Sequence, residues 1–107
     1  MLNSIKPNDF ENEVLGYDKP VLMACLSRDF RFKEQKEILD SVLRDYGGSL
    51  KVCLRDKDTL GDFRKFGIEG SPTFIIFHEG KEQGRMLGTV EKDRLNSFIS
   101  RILSSFE

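Results

Sequence analysis

Apolar residues fall along this chain in two kinds of grouping, and each predicts a different element. Short unbroken runs at residues 21–26, 50–54 and 73–77 predict β-strands, the last of them rich in β-prone residues. Pro20 opens the first run, Val-Leu-Met-Ala-Cys-Leu. A run apolar on both faces predicts a central strand covered on both sides. Elsewhere the apolar residues recur every third or fourth position. Phe32, Ile38, Leu39, Val42, Leu43 and Tyr46 form one stripe, with Asp29 as the expected N-cap and Gly47-Gly48 as the stop. Leu95, Phe98, Ile99, Ile102, Leu103 and Phe106 form another, with Thr89 as the expected cap.

Shorter elements complete the order. Residues 2–5 predict a short first strand. Asn8 with Glu11 reads as a capping box for a short helix carrying Phe10, Val14 and Leu15 and ending at Gly16. Residues 60–66 predict another short helix closed by Gly67. Glu79-Gly80 is a turn signal, and residues 81–87 return as an antiparallel edge strand whose charges discourage further pairing. The sequence β-α-β-α-β-α-β-β-α predicts an α/β protein, parallel in its first half and closed by a hairpin and a helix.

Composition narrows the functional classes. A length of 107 residues fits one domain, residues 1–107, with one core. A formal net charge of −1 gives no broad attraction to nucleic acid or to an anionic membrane, so neither is expected as a partner. No apolar run approaches the ~20 residues that span a bilayer. The first ten residues lack the apolar stretch of a signal peptide, and cytoplasmic placement is the expectation. The two cysteines, Cys25 and Cys53, and one histidine, His78, form neither a disulfide framework nor a metal-ligand cluster, and no cofactor is expected.

Three segments carry a resemblance. They are Lys19-Pro20-Val21-Leu22-Met23, then Gly67-Ile68-Glu69-Gly70-Ser71-Pro72-Thr73, then Phe77-His78-Glu79-Gly80-Lys81 followed by Gly88. Their order and spacing resemble the thioredoxin family over nearly the whole chain. The resemblance implies the thioredoxin fold, a mixed central sheet of about five strands flanked by about four helices. It also implies that Pro72 is preceded by a cis peptide bond, and that the site lies where the long helix begins. There the family carries Cys-Gly-Pro-Cys, its first thiolate stabilised by the helix N-terminus. The matching positions here are Phe30, Arg31, Phe32 and Lys33, with no sulfur among them. The family's preceding tryptophan matches Asp29. Its buried aspartate matches Ala24, and the lysine facing that aspartate matches Leu54. A buried ion pair is costly to keep, so its joint replacement by apolar groups fits a chain without a thiol to serve.

From this follow the candidate residues. Asp29, Phe30, Arg31, Phe32, Ser71, Pro72 and Gly88 would line a groove that takes an extended peptide by strand addition. Phe30 and Phe32 are either an exposed patch at its mouth or, for Phe32, part of the core stripe. Arg28, Arg31, Lys33, Arg55 and Lys57 gather at the same end, either to attract acidic partners or as a solvated rim. Cys25 and Cys53 belong to neighbouring strands, which permits a relocated redox pair if their Cα atoms lie about 4.4–6.8 Å apart. Against that, both read as small buried hydrophobes, and Cys25 is roughly 16 Å of extended chain from Phe30. His78 is expected near a turn, exposed and without a role.

Three functions compete: a redox-inactive module that binds a protein or peptide through the proline groove; a thiol-disulfide oxidoreductase using Cys25 and Cys53; and a structural or chaperone-like subunit of a larger assembly.

Overall fold

The structure is a computed structural model that describes residues 3–4, 11–26, 31–56, 67–68, 72–88 and 91–106. Its elements run β1 (Asn3–Ser4), a single wide helical turn (Glu11–Leu15), β2 (Val21–Leu26), α1 (Phe32–Tyr46), β3 (Lys51–Asp56), β4 (Thr73–His78), β5 (Lys81–Leu87) and α2 (Lys92–Ser104). The five strands form one sheet in the order β1-β3-β2-β4-β5. β1, β3 and β2 are parallel, β4 runs against β2, and β5 runs against β4.

β2 is central because its residues suit no exposed position. All six are buried, and the strand pairs with β3 on one side and β4 on the other. Alternation then divides its side chains between two cores. Leu22, Ala24 and Leu26 join Leu39 and Val42 of α1, Leu95 and Ile99 of α2, and Phe74 and Ile76 of β4. Val21, Met23 and Cys25 face the other way, toward Val14, Cys53, Ile75 and Phe77.

The hairpin between β4 and β5 is closed by two residues, Glu79 at φ 53° and Gly80 at φ 78°, with His78 opposite Lys81. Two consecutive positive φ values match the right-handed twist of the strands they join. Beyond the turn, Phe77 pairs with Glu82 while Ile76 pairs with Gly84, so Gln83 is one residue too many for the ladder. Such a bulge bends the outer strand. At Gly84, α2 packs closely against β5. A Cβ there would stand 2.8 Å from Ile102 Cδ1 and 3.3 Å from Phe98 Cε1. An ion pair of 3.6 Å between Lys92 and Asp45 links α2 to α1.

Several expectations are corrected. β3 runs from Lys51 to Asp56, two residues past its expected end at Leu54, while of the first strand expected at residues 2–5 only Asn3–Ser4 lies among the described residues. Neither long helix starts at its expected cap. α1 has Arg31 at its N-cap position and α2 has Glu91, and neither side chain caps a backbone N–H of its helix. His78 is half-buried rather than exposed, its ring 4.3 Å from that of Phe106. The Asn8 cap and the helix expected at residues 60–66 lie outside the described residues. Among the described residues no helix is long and apolar enough to cross a membrane.

Candidate functional site

β2 ends at Leu26 and the long helix starts at Phe32. Asp29 and Phe30 lie outside the described residues. Arg31 is half-buried and donates to both carboxylate oxygens of Glu34, at 3.0 and 3.1 Å. Lys33 is exposed. Phe32 is half-buried and packs against the core between the sheet and the helices, so its place in the apolar stripe holds. Two cations in the first turn oppose the helix dipole, an arrangement that does nothing for helix stability.

Below that turn, Ala24 and Leu54 stand directly opposite each other in the register of β2 and β3. Both are buried, at 0% and 3% exposure, and both belong to the core beneath α1. Apolar packing occupies this spot.

A polar side chain of α1 is buried as well. Gln35 is 2% exposed, and neither its Nε2 nor its Oε1 has a hydrogen-bond partner among the described residues. A buried amide group left unpaired costs about 1–3 kcal/mol. The sequence pattern missed it because a glutamine within a charged stretch reads as solvent-facing. Its position three residues after Phe32 and four before Leu39, on the apolar stripe, was the available signal.

The proline side of the site comes from β4 and β5. Pro72 is buried just before β4, and its carbonyl accepts a hydrogen bond of 2.9 Å from the Gly88 N–H. Gly88 has φ 105°, a conformation open to glycine and strained for other residues. These contacts bring two of the expected groove residues together. Ser71, and with it the bond preceding Pro72, lies outside the described residues. Leu87, which the sequence reading did not single out, is 56% exposed beside Gly88 and opposite Thr73. With Gly67, Thr73 and Arg85 it lines a depression of about 230 Å³. Arg85 fixes one wall. It binds Glu82 through Nε at 2.8 Å and Nη2 at 2.6 Å, and donates from Nη1 to the Gly67 carbonyl at 3.2 Å. The hydrogen bond from Arg85 holds the Glu82 carboxyl below its usual range.

The two cysteines are buried in the other core and are not joined as a disulfide. They share a face of neighbouring strands, but Cys53 pairs with Met23 and Cys25 with Arg55. A two-residue offset at ~3.3 Å per residue, across ~4.8 Å between strands, puts their Cα atoms roughly 8 Å apart. That exceeds the reach of a disulfide, so adjacency of the strands does not bring the sulfurs within bridging distance. Burial pushes the Cys53 thiol up from the ordinary 9.0 to about 11, against a smaller downward pull from Lys51 and with a further push from Glu13. Arg55, expected on the charged rim, is instead buried at 4% exposure opposite Cys25. Arg28 and Lys57 lie outside the described residues. Among the described residues no group of three or more His, Cys, Asp or Glu is placed to hold a metal ion.

A mixed five-stranded sheet, a long helix leaving its central strand, and a proline bonded to a hairpin glycine define an α/β protein with the thioredoxin fold. Comparison with known proteins agrees. The family model described as Thioredoxin matches residues 2–101. The thioredoxin of Pseudomonas aeruginosa is 36% identical over 92 residues, covering 84% of this chain and 85% of that protein. The thioredoxin of Rickettsia felis is 27% identical over 108 residues, covering 94% and 98%. A chloroplastic M-type thioredoxin of Triticum aestivum is 28% identical over 69 residues, covering 64% and 39%. The chain belongs to the thioredoxin family.

Proposed function

We propose that this member of the thioredoxin family binds an extended peptide of a partner protein through the groove beside Pro72 and does not exchange disulfides. One observation carries the reading. The helix start that would have to present a thiolate carries Arg31, Phe32 and Lys33, while both thiols of the chain are buried within the sheet. A thiol held near 11 is almost wholly protonated at neutral pH and is a poor nucleophile. The apolar pair Ala24 and Leu54 supports the same reading, because neither side chain can accept a proton. The groove itself is built on the Pro72–Gly88 bond, exposed Leu87 and the adjoining depression, with a cis bond before Pro72 as part of the proposal. A partner strand would gain main-chain hydrogen bonds there and set an apolar side chain against Leu87.

The test has two arms. Insulin-disulfide reduction by dithiothreitol should run at the same rate with and without the protein. Extended peptides selected from a displayed library against the wild type should lose at least ~10-fold in affinity toward a Phe32→Ala, Leu87→Asp double variant. Accelerated insulin reduction would refute the redox part, and undiminished affinity would refute the groove.

A second reading, thiol-disulfide exchange, is favoured by the names of the relatives. It requires Cys25 or Cys53 to reach a substrate. Reactivity of the native protein toward a thiol reagent, abolished by Cys25→Ala, would establish it.

A further inference from the structure

β5 turns alternate residues to opposite faces of the sheet. Arg85 and Leu87 line the depression beside Gly88, whereas Gly84 and Met86 face α2. On that second face Met86, Asp93, Arg94, Ser97, Phe98 and Arg101 enclose an open depression of about 440 Å³. Phe98 is buried and Met86 half-buried, so its floor is apolar. Asp93, Arg94, Ser97 and Arg101 stand exposed around it. Among the described residues the side chains of Asp93, Arg94 and Arg101 make no hydrogen bond or ion pair. Arg31 and Arg85, by contrast, each hold a carboxylate of their own chain.

We propose that this depression is a docking site for an acidic amphipathic helix of a partner protein. Arg94 and Arg101 are seven residues apart on α2, which is about 10.5 Å along its axis. Side chains on one side of an extended strand recur at about 6.7 and 13 Å from the first, and miss that span. A second helix lying along α2 matches it, with carboxylates at its positions i and i+7. Each carboxylate accepts two parallel N–H bonds from a guanidinium, which fixes direction as well as charge. Residues i+3 and i+4 of the partner then lie over Met86 and Phe98, where apolar side chains continue the floor. Ser97 sits between the two arginines, and its small side chain lets the second helix come close. In an antiparallel alignment position i meets Arg101, position i+7 meets Arg94, and position i+8 comes beside Asp93, where a cation is favoured. The Pro72 groove lies on the other face of β5, so this site leaves it free.

The probe is a synthetic alanine-rich helix with Glu at i and i+7, Leu at i+3 and i+4, and Lys at i+8. It is titrated into the full chain at low salt and followed by amide chemical shifts. The dissociation constant should fall below about 1 mM, with the largest shifts at Met86, Ser97 and Arg101. Changing both Glu of the probe to Gln should weaken binding at least ~10-fold, and so should the Arg94→Gln, Arg101→Gln double variant. Ser97→Tyr, which keeps every charge and blocks the approach, should do the same. Leu87→Asp, on the opposite face, should change the affinity by less than ~2-fold. No binding at about 1 mM probe, undiminished affinity of the Gln probe or of the arginine variant, or shifts centred on Thr73 and Gly88 would overturn the proposal. So would shifts along α2 that depend on protein concentration alone, because they assign the face to a second copy of this chain. The groove test reads Phe32 and Leu87, so each proposal fails on its own residues.

Discussion

Burial moves the Cys53 thiol upward, and the direction fixes two outcomes. A raised value means that the native state holds this proton more tightly than the unfolded chain does. The group therefore leaves stability unchanged below the ordinary 9.0 and lowers it as pH climbs from there toward 11. Melting temperatures should be flat in this respect up to about pH 8.5 and should then decline, with a shallower decline in Cys53→Ala. At pH 8 roughly one Cys53 in a thousand is a thiolate, so a thiol reagent should modify it at least ~100-fold more slowly in the native protein than in guanidinium. Glu79 presents a different residue-scale strain. Its φ of 53° is the left-handed region, which disfavours a side chain other than Asn, Asp or Gly. Glu79→Asn should stabilise the protein by about 1 kcal/mol, read as a rise of about 4–8 °C in melting temperature.

At the scale of elements, the close approach of α2 to β5 depends on a missing side chain. With Ile102 Cδ1 at 2.8 Å and Phe98 Cε1 at 3.3 Å from any Cβ at position 84, the neighbours must shift to admit a larger residue. Gly84→Val should destabilise by about 1–3 kcal/mol in urea unfolding, with the helix content of the folded protein unchanged. The elements also show what was readable from pattern. β2 and β5 lie where the sequence placed them, because Pro20 and the Glu79-Gly80 turn punctuate them sharply. β3 outran its apolar residues because Arg55 and Asp56 continue the ladder opposite Cys25 and Leu26. Pairing with a neighbouring strand decided their conformation, and no local preference announces that. Helix starts failed for a related reason. A cap contributes about 1 kcal/mol. Packing of Leu39, Val42, Leu95 and Ile99 against the sheet contributes more and sets where each helix runs.

For the whole molecule, order and spacing of weak motifs were enough to reach the fold, since each element has one place in a β-α-β arrangement closed by a hairpin. The site was legible in its chemistry and less so in its shape. That sulfur is missing from residues 31–33 is plain in the sequence. That Leu87 is exposed beside Gly88, that Arg55 is buried, and that Gln35 is buried with its amide unpaired among the described residues are consequences of long-range packing, which periodicity does not encode. The surplus residue at Gln83 has an effect of the same global kind. β5 is one of the sheet's two edge strands, and a second chain trying to template on it would meet a ribbon out of step with a regular partner. On this side of the sheet, edge-to-edge stacking of one molecule on another is thereby discouraged, next to the β-prone run Thr73–His78 of the hairpin's inner strand.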